Sequence, residues 1–103
     1  MKYTFGLCAG RHDCPVSDYI FPNVIEGLNP QILIAQAEEA IPSDCSTLVV
    51  YVTGFTPAML AVAHVCFRRR ITLVTLNYNR DSGEYVRIPV MLWEDRTERV
   101  PGI

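Results

Sequence analysis

The residues best suited to chemistry fall in two short runs. The first, A-G-R-H-D-C-P at residues 9–15, places a fixed guanidinium (Arg11), an imidazole that titrates near neutral pH (His12), a carboxylate (Asp13) and a thiol (Cys14) just after a flexible glycine, Gly10. Arg11 suits a phosphate, and His12 suits a general acid or base. Both are equally at home as solvated loop residues. The second run, T-G-F-T-P at residues 53–57, is a glycine turn followed by a hydroxyl and a proline, which marks a helix start with Thr56 as N-cap and Pro57 as first helical residue. A helix start offers free backbone N–H groups and the positive end of a dipole to an anion. Gly54 and Thr56 would serve any strand-to-helix turn whether or not an anion binds.

Other combinations are weaker. Cys14 lies two residues after His12, but neighbours in sequence do not make a thiolate–imidazole dyad and no third group is placed to orient them. His12, Cys8 and Cys14 fall short of the four ligands of a structural zinc site, and no second pair has zinc spacing, so neither a metal nor a cofactor is expected. His64, alone in an apolar helix, reads as a core or interface histidine. Asn77 and Tyr78, with Arg80 close behind, offer an amide and a ring to a base, or simply the chemistry of a hairpin. Arg68, Arg69 and Arg70 read as a solvated helix end that complements the dipole.

The elements that must position these residues follow from pattern. Residues 48–52 (L-V-V-Y-V) form an uninterrupted β-branched and aromatic run, as in a strand covered on both faces. It feeds the glycine turn and a helix over residues 57–69. That helix carries apolar side chains all round, His64 excepted, so it is expected to be buried on all sides, either by a second copy of the chain or by residues 19–25. Residues 2–8 (K-Y-T-F-G-L-C) predict a strand whose Gly6 lets another group approach closely. Residues 17–25 fit either an extended edge segment or a packed loop. Asn29-Pro30 repeats the cap-and-proline signature and starts a helix over residues 30–40 in which Glu38 and Glu39 face water. Residues 71–78 and 84–92 are β-rich and flank a turn cluster, which predicts a hairpin, with Pro89 confining the last strand to an edge.

The expected fold is therefore α/β: a small Rossmann-like domain over residues 1–92 with a mainly parallel sheet and a C-terminal β-hairpin, then a loosely held tail over 93–103. In such sheets ligands bind beyond the carboxyl ends of the strands, where the loops bearing Gly10 and Gly54 would meet. At 103 residues the chain makes one domain, and a short one for a complete doubly wound fold, so an apolar face is expected to find a partner chain. Nine Lys and Arg against eleven Asp and Glu give a net charge of -2, which argues against a surface that coats long nucleic acid but leaves room for a compact nucleotide. Four cysteines without a C-x-x-C pair suit a reducing, cytoplasmic setting, and no run approaches the roughly 18 apolar residues of a spanning helix.

The stretch V-Y-V-T-G-F-T-P-A-M-L-A-V-A, followed by I-T-L-V-T-L-N-Y-N-R-D-S-G-E-Y, resembles the CRISPR-associated Rossmann-fold (CARF) domains, in which a strand enters a Thr-Gly-Gly-Thr-Lys-x-Met turn that starts a helix. Thr53, Gly54, Thr56 and Met59 fall on matching positions; Phe55 replaces the second Gly and Pro57 the Lys. The same layout is similar to small uncharacterised proteins of bacteria and phages. The resemblance implies a homodimer with a cyclic oligonucleotide second messenger across its two-fold axis, in antiviral defence. A ligand-binding module of this kind, a sponge or sensor, would use Gly10, Arg11, His12, Thr53, Gly54, Phe55 and Thr56, with Phe55 or Tyr78 stacking a base beside Asn77. A metal-independent ring nuclease would add chemistry from Arg11 or His12 while a ribose 2′-hydroxyl attacks its own phosphodiester. A third possibility is a structural subunit that docks through its apolar second helix.

Overall fold

A computed structural model describes residues 1–10, 14–22 and 29–93. Strand β1 (Lys2–Cys8) is followed by a short strand β2 (Tyr19–Phe21), helix α1 (Pro30–Ala40), β3 (Thr47–Tyr51), helix α2 (Thr56–Arg69), β4 (Thr72–Asn79) and β5 (Glu84–Met91). The sheet order is β2-β1-β3-β4-β5, parallel throughout except for the β4–β5 hairpin. The expected Rossmann-like α/β layout with a C-terminal hairpin is thus present. Within the 17–25 segment, Tyr19–Phe21 form an edge strand, which adds β2 to the expected order; residues 23–25 lie outside the described residues.

Alternation along the strands divides the sheet into two faces. Leu7, Leu48, Val50 and Leu73 point to one face and are fully buried against Leu33 and Ala37 of α1 and Ala58, Ala61, Val62 and Val65 of α2. Both helices lie on that face for a topological reason. The crossovers from β2 to β3 and from β3 to β4 advance across the sheet in the same direction, and right-handed crossovers then fall on the same side. The connection from β1 to β2 runs the other way across the sheet. The opposite face carries no helix among the described residues.

The helices begin differently. The Asn29 side chain accepts hydrogen bonds from the backbone N–H groups of Gln31 and Ile32 at 3.0 and 3.4 Å, with Pro30 in the first turn as its sequence predicts. In α2 the expected cap is displaced by one residue. Phe55 is the extended N-cap, Thr56 is already helical, and the N-cap side chain makes no capping hydrogen bond. Nor is α2 buried all round: Leu60 and Phe67 are each 64 % exposed and His64 is exposed. Residues 19–21 do not cover it, because they pair with β1 at the sheet edge. The approach that Gly6 permits is that of a ring. A Cβ there would lie 2.6 Å from Cε2 of Tyr19, so the tyrosine rests flat on a position that only glycine leaves open.

The arginines at the end of α2 do more than meet a dipole. Arg69, partly buried, donates to the carbonyl oxygens of Ile41 (2.9 and 3.2 Å) and Pro42 (2.8 Å) and to Glu38 (3.4 Å), so one helix satisfies the open carboxyl end of the other. Arg68 pairs with the second Glu38 oxygen at 3.3 Å, so Glu38 faces arginines rather than water alone. Arg70 adopts the left-handed conformation (φ 57°) that ends α2, and its guanidinium sits over Trp93 at 5.4 Å. Trp93 also packs against Phe67 and exchanges hydrogen bonds with Thr72, so this residue is held, contrary to the expected loose tail. The rest of that tail lies outside the described residues. Among the described residues, no helix is long and apolar enough to cross a membrane.

Candidate functional site

The place where this fold exposes backbone to a ligand is fixed by strand order. From β1 the chain departs to one side, into β2, and from β3 it departs to the other, into β4. The chain therefore leaves the adjacent carboxyl ends of β1 and β3 for opposite sides of the sheet, which makes this the switch point at which open α/β sheets bind ligands. Gly10 follows β1 and Gly54 follows β3, so the two glycine turns stand at one rim as expected. Gly10 has φ +79°, a conformation that favours glycine, and among the described residues a Cβ on either glycine would meet no atom within 4 Å. Arg11 and His12, the expected charged and titratable members of the site, lie outside the described residues.

Thr53 joins the two strands where they part. It is 1 % exposed, its Oγ1 accepts from the Cys8 N–H at 3.1 Å, and its hydroxyl donates to the Cys8 carbonyl at 3.4 Å. That exchange continues the β1–β3 ladder through a side chain, so the Thr53 hydroxyl is engaged by the protein. Thr53→Val keeps the shape but leaves the buried Cys8 N–H without this acceptor, a loss of about 2 kcal/mol. Urea unfolding of the variant checks this; a midpoint equal to that of the parent would show that the exchange contributes nothing.

The remaining expected residues separate. The N–H of Phe55 donates to the Thr53 carbonyl at 2.6 Å, and its side chain is partly buried against the core, so it turns away from the rim. Thr56 is exposed in the first turn of α2. Asn77 points to the helix-bearing face, where its amide donates to Thr75 Oγ1 at 2.9 Å and Thr75 in turn donates to the Ile88 carbonyl at 2.8 Å. Its neighbour Tyr78 therefore points to the other face and is 51 % exposed. An amide and a ring so placed do not grip the same base.

Sequence reasoning missed the company that Tyr78 keeps. The ring of Tyr85 stands edge-on between those of Tyr51, at 4.8 Å, and Tyr78, at 5.5 Å, with interplanar angles of 89° and 67°. Burial raises the Tyr85 hydroxyl above its ordinary pKa, helped by a hydrogen bond with the Cys14 thiol. Cys14 thus lies beside the tyrosines. Cross-strand pairing of Tyr78 with Tyr85 was readable from the hairpin; the reach of Tyr51 across β4, and of Cys14 from another loop, depends on strand order and leaves no local signal.

A second concavity, of about 270 Å³, lies between α1 and α2 and is lined mainly by apolar side chains, among them Leu33, Ile34, Pro57 and Leu60, with His64 at its side. None of the four cysteines is in a disulfide. Comparison with known proteins returns no match: no family model, curated protein or solved structure is similar to this chain.

Proposed function

We propose that the chain binds a nucleotide-type anion in the crevice beyond β1 and β3, with a cyclic oligonucleotide as the ligand class and a second copy of the chain completing the site. The observation that carries this reading is the switch point itself: two glycine turns at one rim, with open space above both glycines among the described residues, beside a helix start whose N-cap side chain makes no capping hydrogen bond. Backbone N–H groups there are donors for phosphate oxygens. Arg11 and His12 remain the proposed charge partners, and a positioned 2′-hydroxyl with their help would turn binding into cleavage.

The test is incubation with a panel of cyclic oligonucleotides, read by thermal shift and by the state of the recovered nucleotide. A ligand at one hundred times its dissociation constant stabilises the folded state by about 2.7 kcal/mol, a shift of several degrees for a domain of this size. Intact nucleotide in the denatured complex marks a sponge or sensor, and linear product marks a ring nuclease. No shift with any member refutes the reading. The exposure of Leu60 and Phe67 and the apolar groove beside them favour the alternative of a docking subunit. In that case light scattering would show Leu60→Asp changing the oligomeric state while no nucleotide shifts the melting temperature.

A further inference from the structure

We infer that the three-tyrosine cluster on the helix-free face is the base-stacking half of the same site, and that Arg87 beside it receives a phosphate of the same ligand. This rests on the nucleotide-binding reading and names the groups that would distinguish a nucleotide from a bare anion. Three observations meet here. The first is the pair of edge-to-face contacts about Tyr85, which fixes that ring between Tyr51 and Tyr78 and leaves Tyr78, at 51 % exposure, as an open aromatic surface. A base needs such a ring held still before it arrives, because the ordering cost is then already met.

The second is charge. In the β4–β5 ladder Tyr78 faces Tyr85 and Leu76 faces Arg87, so Arg87 shares the tyrosines' face two residues along β5. It is exposed and enters no ion pair among the described residues. Diagonal positions on neighbouring strands are roughly 7 to 8 Å apart, within reach of a long side chain. A guanidinium at that spacing from a ring suits a ligand that carries an aromatic base at one end and a phosphate at the other.

The third is continuity with the crevice. Tyr51 closes β3 two residues before Thr53, and Cys14, four residues after Gly10, lies beside the Tyr85 hydroxyl. The phosphate-accepting rim and the aromatic surface are therefore joined by the same two chain segments. Stacking on the rim itself is less suited, since Phe55 is partly buried against the core.

The experiment compares adenosine 5′-monophosphate with ribose 5-phosphate by tyrosine fluorescence and calorimetry on the whole chain. Stacking contributes about 1–3 kcal/mol per base, so the nucleotide is expected to bind at least about tenfold more tightly than the sugar phosphate. Tyr78→Ala should abolish that difference and Tyr78→Phe should restore it, which separates stacking from any effect on the hairpin. Arg87→Ala should weaken both ligands while leaving binding of adenosine, which has no phosphate, unchanged. Equal affinity for the two phosphates, unaltered in Tyr78→Ala, would overturn this inference and leave the crevice as a phosphate site. Failure of both to bind would remove the inference together with the reading beneath it.

Discussion

Arg69→Met is expected to destabilise the protein by about 3 kcal/mol, measured as a lower urea midpoint with an unchanged slope. The guanidinium of Arg69 satisfies the Ile41 and Pro42 carbonyls from a partly buried position, and it holds Glu38 as well. Hydrogen bonds from a charged donor contribute about 1.5–3 kcal/mol, and their loss leaves the Ile41 carbonyl at the helix end without this donor, while the Pro42 carbonyl keeps the Cys45 N–H at 3.1 Å. The Met side chain keeps most of the apolar stem, so the deficit reports on polar contacts. Arg68→Met removes only the exposed partner of Glu38 and should cost well under 1 kcal/mol, as surface ion pairs do. Equal effects of the two substitutions would contradict this division of labour.

Alkaline conditions should destabilise the fold through Cys66. Its thiol is fully buried in α2, and that burial, with a smaller push from neighbouring Cys45, holds its pKa up to about 12, against 9 for the ordinary group. The sign follows from proton linkage. Below about pH 9 the thiol is protonated in folded and unfolded chains alike, and its contribution is constant. Between about pH 9 and 12 the unfolded chain releases the proton while the folded chain keeps it, so stability falls by about 1.4 kcal/mol per pH unit. Tyr3, whose hydroxyl donates to Asp44 at 2.7 Å, and Tyr85 are raised too and act in the same direction. Cys66→Ala should flatten the pH dependence of the unfolding free energy over that interval; an unchanged slope would show that the thiol is not its source. The same burial makes Cys66 unreactive towards alkylating reagents in the native state.

Much of the layout was legible because each element carries a local signal. The 48–52 run marked β3, Asn29-Pro30 marked α1, and the turn cluster between residues 79 and 83 marked the hairpin. Strand directions could be anticipated as well, since right-handed crossovers join parallel strands, but the order β2-β1-β3-β4-β5 could not. What local pattern did not supply was the surroundings of each element. α2 looked apolar on every side; within one chain, alanines at positions 58, 61 and 63 bring little area, and the large residues Leu60 and Phe67 project away from the sheet, on the side where a second copy was expected. Thr56 carried a cap signature, but the chain becomes helical one residue earlier, where Phe55 is anchored by its own packing. Of the expected site, the placement of Gly10 and Gly54 after adjacent parallel strand ends was readable from pattern alone. The opposite orientations of Asn77 and Tyr78 needed only the two-residue period of a strand. The arginine clamp on α1 and the grouping of Tyr51, Tyr85 and Cys14 join residues far apart in the chain, and no local pattern encodes such meetings.

The strand order has a temporal side. β1 lies second from one edge and its longest pairing is with β3, residue for residue from Lys2 and Thr47 to Gly6 and Tyr51, across some forty-five positions of chain. During synthesis β1 must therefore wait, unpaired on that flank, until α1 and β3 have emerged. Closing so long a loop costs entropy before any ladder bond repays it, which places the protein among slower folders for its length. The Thr53 exchange with Cys8 forms only after that closure, so it locks a pairing already made and should slow unfolding more than it speeds folding.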